Sequence, residues 1–246
     1  MGRTIAEKII ARAAGKDSVG PGEIVTCRVD LAMIHDSGGP RRVAPAMEEL
    51  GVGVWDPDKI VLVSDHFTPS TDVESANILK LTREWANKQQ IRNFYDQLGI
   101  CHIVTPEYGH LRPGMFVVGG DSHSPTGGAF GCYMFGVGAT DMLGILVTGE
   151  TWIKVPQTIR IKWSGSLANG VAAKDMALNM CAALGMDGGN YQAIQYTGDV
   201  IASFDMMERM TLCNMAAELG AQAGIIEPDV VTEAYVTAAG SQPGVW

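Results

Sequence analysis

Apolar and polar positions along the chain fall into short runs of two kinds, one with helical spacing and one continuous. The opening "MGRTIAEKIIARAAGKD" is an amphipathic helix pattern. It lacks the apolar core of roughly 7–15 residues that a signal peptide needs. "GEIVTCRVDLAMIHDSGG" reads as one strand that breaks into a turn at Ser37-Gly38-Gly39-Pro40. "RRVAPAMEELG" reads as a short helix closed by Gly51. "DKIVLVSDH" is a continuous apolar run of the kind buried on both faces, which predicts a parallel strand. In "TPSTDVESANILKLTREWANKQQI" the capping residues Ser70, Thr71 and Asp72 precede an apolar side made of Ile78, Leu79, Leu81 and Trp85, so this segment is predicted to be a helix. "GICHIVTPEYG" is expected to be a short strand with a turn, and "PGMFVVGGDSH" another buried strand. "GAFGCYMFGVGATDMLGILVTGE" is apolar and Gly-rich and is expected to be a closely packed helix.

Strand, helix and strand alternate, which predicts an α/β fold with a largely parallel sheet. Near "ETWIKVPQTIRIKWSGSL" the texture changes, and "TIRIKWSG" alternates as a half-exposed strand does. A boundary is therefore expected there, with one subdomain over 1–152 and a second over 153–246. The tail "TAAGSQPGVW" carries no helix or strand signal.

The 246 residues are enough for one large domain or two ordinary ones. A net charge of −9 argues against nucleic acid or an anionic membrane as the main partner. No apolar run approaches the roughly 20 residues of a membrane span, and the expected location is cytoplasmic. The five cysteines, Cys27, Cys101, Cys132, Cys181 and Cys213, form no CxxC and lie mostly in apolar company. They are expected to be reduced and buried.

Candidate chemistry gathers at strand ends. His35 follows "DLAMI", His66 follows "IVLVSD", His102 follows "GIC" and His123 follows "FVVGGDS". In an open α/β sheet, ligands bind outside the carboxyl ends of the strands, so four imidazoles are expected around one crevice. Asp65 precedes His66, and Asp121 lies two residues before His123. A carboxylate beside an imidazole fixes its tautomer and favours the charged form. Adjacent strand residues point to opposite faces, however, so Asp65 and His66 pair only if the chain turns there. Ser122 is suited to bind a carboxylate oxygen, or to act as a base if its hydroxyl is stripped of its proton. In "MTLCNMAAELGAQAG", Cys213, Asn214 and Glu218 are expected on one helix, with Asn214 and Glu218 sharing a face at i and i+4. "GGAFGCYMFGVG" is neither a Walker A motif nor a good dinucleotide fingerprint.

The segments "GRTIAEKI", "SDH", "GGDSHSPTGGAFG", "TGETWIKVP", "MDGGNYQAIQYTGD" and "MERMTLCNMAAELGA", in this order, resemble the aconitase superfamily, and within it the 3-isopropylmalate dehydratase branch shared with homoaconitase and dimethylmalate dehydratase. The resemblance runs over nearly the whole chain. It implies a three-layer α/β/α fold of two related subdomains. It also implies reversible dehydration of a hydroxy di- or tricarboxylic acid assisted by a [4Fe–4S] cluster, most simply the 3-isopropylmalate/2-isopropylmalate interconversion of leucine biosynthesis. Carried over by position, it implies catalytic roles for Asp65, His66, His102, Asp121, His123 and Glu218, substrate binding by His35 and Ser122, and a place near the cluster for Asn214.

None of the five cysteines matches the family's cluster ligands, so no metal ligand is assigned to this chain. The expectation is a component completed by a cluster-bearing remainder of the large subunit and a swivelling small subunit. Two other readings remain: a mononuclear metal hydrolase that uses the four histidines directly, and a non-catalytic relative that acts in assembly.

Overall fold

The computed structural model describes residues 2–242. Helix α1 (Ile5–Ala13) starts at Thr4, whose hydroxyl caps the Glu7 N–H while the Glu7 side chain caps the Thr4 N–H. The single strand expected over 23–35 is two strands, β1 (Ile24–Arg28) and β2 (Leu31–His35), in different sheets. Asp30 separates them, and its carboxylate accepts the Phe116 N–H at 2.7 Å and pairs with Arg12. A carboxylate tied to two distant elements bends the chain where local periodicity predicts continuity.

Helix α2 (Pro40–Leu50) ends, as expected, at Gly51, which takes a left-handed φ of 65°. Strand β3 (Ile60–Ser64) is followed by α3 (Val73–Lys88), and Asp72 is its N-cap. Next come β4 (Asn93–Asp96) and α4 (Cys101–Glu107). This corrects the strand expected over "GICHIVTPEYG". That segment is helical, and the true strand is the preceding "NFYD". Ile100 offers no side-chain cap, but Asp65 at the end of β3 accepts the Cys101 N–H at 2.6 Å. The cap comes from another element, so no local signal announces the helix.

Strand β5 (Phe116–Gly119) leads into a 3-10 helix at Ser124–Phe130, then β6 (Tyr133–Gly136) and α5 (Ala139–Thr148). The long helix expected over 128–150 is therefore three elements. Gly131, left-handed at φ 70°, ends the first, and Gly138 stands before the third. Then follow β7 (Glu150–Lys154), β8 (Thr158–Lys162), α6 (Ala173–Leu184), β9 (Ala193–Thr197), α7 (Asp199–Ser203), α8 (Met206–Asn214), β10 (Ala223–Ile226) and α9 (Val230–Ala238). The last helix runs into the tail expected to be structureless, and residues 243–246 of that tail lie outside the described residues.

The fold is α/β with mainly parallel sheets. The central sheet has the order β4-β3-β2-β5-β6, parallel throughout, and a second parallel sheet has the order β10-β9-β8. An antiparallel pair joins β1 to β7, and the expected division at 152/153 falls inside β7.

The central strands read as continuous apolar runs because both faces are covered. Ala32, Ile34, Ile60 and Leu62 enter one core with Ile9, Ile10, Trp85 and Leu146. Met33, Val61, Val63 and Val117 enter the other with Cys101, Phe130, Met210 and Leu212. The 3-10 helix packs closely on β10 at Gly128, where a Cβ would stand 1.7 Å from the Gly224 carbonyl oxygen. Arg209, fully buried on α8, donates both terminal nitrogens to Asp229 at 2.7 Å each and its Nε to the Phe204 carbonyl at 3.1 Å. Among the described residues no helix is long and apolar enough to cross a membrane.

Candidate active site

The carboxyl ends of β2, β3 and β5 carry His35, Asp65-His66 and Asp121-Ser122-His123, and these groups meet. β3 stops at Ser64 and the chain turns, so Asp65 and His66 face each other and Asp65 Oδ1 lies 2.6 Å from His66 Nδ1. On its other side, His66 Nε2 is 3.6 Å from Asp121 Oδ2. His102 comes from the first turn of α4 rather than from a strand end, and its Nε2 sits 2.8 Å from Asp121 Oδ1. The same oxygen accepts the His123 backbone N–H at 2.8 Å. Asp121 is thus the centre on which His66, His102 and the His123 turn converge. The Nδ1 of His102 is buried without a partner. A proton there would be an unsatisfied buried donor, so the tautomer that fits carries its proton on Nε2, toward Asp121.

His123 Nδ1 is 3.2 Å from the Ser122 hydroxyl, and its Nε2 is 2.9 Å from Glu218 Oε1. Asn214 and Glu218 do not share a helix face as expected. α8 ends at Asn214, and Glu218 lies in the turns beyond it. Both still reach the 3-10 segment: Asn214 Nδ2 donates to Thr126 Oγ1 at 2.9 Å, and Thr126 in turn donates to the His123 carbonyl at 2.6 Å. The second region therefore braces the turn that presents His123.

His35 is 3% exposed, and its ring lies flat against His66 with centroids 3.9 Å apart. Its Nε2 is 2.9 Å from the Gly120 carbonyl, and its Nδ1 accepts the Gly38 N–H at 3.3 Å. Asp36 is fully buried, and the sequence pattern assigns it no role. Its two oxygens accept the N–H groups of His66 and Phe67 at 3.1 Å each, fixing the loop that carries His66. Its one signal is an acidic residue directly after a histidine at a strand end.

Charge is distributed unevenly among these groups. The carboxylates of Asp121 and Asp65 raise the pKa of His66 to about 10, against the opposing effect of burial. Asp121 is the larger influence although its contact is the longer one, and geometry gives the direct hydrogen bond to Asp65. Asp121 is held well below the usual carboxylate range by His102 and His66, against burial. Burial works to raise Asp65, but the His66 ring and the Cys101 N–H outweigh it and lower its pKa. Burial and the charge on His66 lower His35. One stacked imidazole is charged at neutral pH, and its neighbour is neutral.

The cysteines do not fit a [4Fe–4S] cluster, which needs converging thiolates. Cys27, Cys101, Cys132 and Cys213 are buried, and burial raises each thiol, Cys27 to about 11 and Cys132 to about 12. Among the described residues the group with metal-ligand spacing is His35, Asp36, Asp65 and His66, which contains no thiol. Its donors are already occupied: backbone N–H groups take both Asp36 oxygens, and backbone groups take both His35 nitrogens. A single ion there would have to displace the His35 bonds and share the Asp36 oxygens with backbone N–H groups, which weakens the mononuclear hydrolase reading.

A family model described as "Aconitase family (aconitate hydratase)" matches residues 7–244. Over 96% of its length the chain is 47% identical to the 3-isopropylmalate dehydratase large subunit 1 of Methanopyrus kandleri, covering 56% of that protein. It is 46% identical to a probable methanogen homoaconitase large subunit of Methanothermobacter thermautotrophicus, covering 56% of it. It is 42% identical to the 3-isopropylmalate dehydratase large subunit of Syntrophus aciditrophicus, covering 58% of it. The chain thus spans little more than half the length of the curated relatives it matches.

Proposed function

The chain belongs to the aconitase family, and on that premise we propose that it is part of the large subunit of a hydro-lyase acting on a hydroxy di- or tricarboxylic acid. The two most similar names above divide between 3-isopropylmalate dehydratase and homoaconitase. We assign 3-isopropylmalate/2-isopropylmalate, and with it a role in leucine biosynthesis, because that name recurs among the relatives. A soluble, cytoplasmic setting, a cluster held by thiolates other than the five cysteines described, the remainder of the large subunit and a small subunit complete the proposal.

The observation that carries the reading is the convergence of His66 and His102 on Asp121, with His66 charged between two carboxylates. Dehydration breaks the substrate's C–O bond and a neighbouring C–H bond, so the departing oxygen must gain a proton while a base supplied by the remainder of the enzyme takes the proton from carbon. His66 is the proton donor in this reading. With a pKa of about 10 it is charged at neutral pH. It can still protonate a departing hydroxide, whose conjugate acid, water, has a pKa of about 15.7. Asp65 and Asp121 aim its two N–H groups, and Asp36 holds its backbone. Ser122 and His123, the latter oriented by Glu218, face the substrate's carboxylate. His35, expected among the substrate ligands, supports His66 from beneath in this reading, since both its nitrogens are bonded to backbone.

The test joins the chain to the remaining parts of the enzyme and follows loss of the unsaturated diacid's ultraviolet absorbance. Hydration by the wild-type assembly and loss of turnover by about 10²-fold or more in His66→Gln are expected. An assembly that hydrates no unsaturated diacid, or an active His66→Gln form, overturns the reading.

A further inference from the structure

The histidine crevice uses one end of the central sheet, and the other end also holds a cavity. β3, β2 and β5 are parallel neighbours. Their first residues follow Lys59, Asp30 and Met115, and these three line a cavity of about 560 Å³. Strands of four or five residues separate it from the histidines by roughly 15 Å, at about 3.3 Å per residue. Its volume suits a small organic ligand, for which pockets run from about 300 to 1,000 Å³.

Helix α1 closes one side. Ile5, Lys8, Ile9 and Arg12 all line the cavity, and their spacing of i, i+3, i+4 and i+7 puts them on one helical face. Ile5, Ile9 and Met115 are 7%, 5% and 8% exposed and form an apolar floor. Lys8, Arg12, Lys59 and Arg112 stand exposed around it. Asp30 is the one carboxylate in the lining, and it is already held by Arg12 and the Phe116 N–H. Among the described residues Lys8 and Arg112 make no ion pair, while Lys59 reaches Asp56 only at 4.0 Å. Four cations against one carboxylate leave the lining at +3 in a chain of net charge −9.

An apolar floor ringed by cations, two of them unpaired, matches a molecule that is apolar along its body and negative at its head. We propose that this cavity is a second binding site, separate from the histidine crevice, for a small organic anion. A carboxylate or phosphate head would sit among Lys8, Lys59 and Arg112, with an alkyl body against Ile5, Ile9 and Met115. The site stands whether or not the hydro-lyase reading does, because it shares no residue with that crevice.

The test titrates the 246-residue chain with hexanoate, hexylamine or inorganic phosphate and follows the methyl signals of Ile5, Ile9 and Met115 by NMR. Saturable shifts with hexanoate are expected, with none from hexylamine and weaker binding of phosphate. A Lys8→Gln/Arg112→Gln double variant should weaken hexanoate by at least about tenfold, the cost of about 1.4 kcal/mol of lost attraction. Its melting temperature should hold, since both side chains are exposed. Equal response to hexylamine, no saturable response to hexanoate, or unchanged affinity in the double variant overturns the assignment. Phosphate binding as tightly as hexanoate removes the apolar floor from the site and overturns it equally.

Discussion

His35 and His66 lie face to face, 12° from parallel with ring centroids 3.9 Å apart, one neutral and buried and the other charged. The pair works because His35 is wired to backbone at both nitrogens, whereas His66 is wired to carboxylates. A second positive charge against the first is costly, so the buried ring stays neutral and serves as a flat support. His35→Ala, compared with His35→Gln, is expected to move the His66 imidazole signals in NMR while most of the fold signals stay in place. Unmoved His66 signals in a folded His35→Ala chain would count against the support role.

The charge on His66 sets a pH window for stability. Its folded pKa of about 10 lies above its ordinary value of 6.5. Its contribution is therefore fully present below about pH 6.5 and is lost as pH rises through 10. The ring is 35% exposed, so solvent screening cuts the effect to on the order of 1 kcal/mol. Tm should decline from neutral pH toward pH 10, and His66→Gln should flatten that decline. A wild-type Tm that is level across the window contradicts it.

His123→Ala should separate chemistry from folding. The ring is 37% exposed and sits outside both apolar cores. Loss of the Glu218 hydrogen bond should cost about 1 kcal/mol of stability, while turnover of the completed enzyme falls by about 10²-fold or more. Tm and steady-state rate measured on one preparation decide this. A large fall in Tm with near-normal rate would mark His123 as structural.

The five described cysteines should not assemble a cluster by themselves. Four are buried, with thiols raised by burial, and none falls in a group with metal-ligand spacing. Anaerobic reconstitution of the 246-residue chain, followed by iron and sulfide assay, should give far less than one cluster per chain. Stoichiometric [4Fe–4S] on this polypeptide would refute the expectation.

Two substitutions test the packing that holds the site together. Asp229→Ala leaves the fully buried Arg209 guanidinium without its carboxylate and should cost about 3–5 kcal/mol in urea denaturation. Gly128→Ala drives a methyl group into the Gly224 carbonyl, where the 3-10 helix meets β10, and should cost about 1–3 kcal/mol. Because the 3-10 helix that carries Gly128 begins directly after His123, the second change should also disturb the His123–Glu218 signals. Wild-type stability in Gly128→Ala would show that the 3-10 helix and β10 can separate freely there.

Much of the site was legible because strand ends are. The apolar run "IVLVSD" has to stop where Asp65 and His66 appear, and "FVVGG" where Asp121 appears, so a parallel sheet lines them up on one edge. Four α-helices begin where Thr4, Asp72, Asp205 and Asp229 accept N–H groups two or three residues on, a signal contained within a few residues. α4 is capped by Asp65 from 36 residues away, so the apolar run alone predicts a strand there. Its burial pattern alone could not decide between the two.

The sequence by itself determined the α/β class, the parallel central strands and the edge on which His35, His66 and His123 stand, because periodicity and strand ends are local properties, while the family followed from the resemblance of whole segments. Only the tertiary structure decided which carboxylate serves which imidazole. Asp121 reaches both His102 and His66, Glu218 holds His123 across 95 positions, and Asp36 ties down the His66 loop. A charge interaction depends on distance in space, and folding sets that distance between residues whose separation along the chain carries no trace of it.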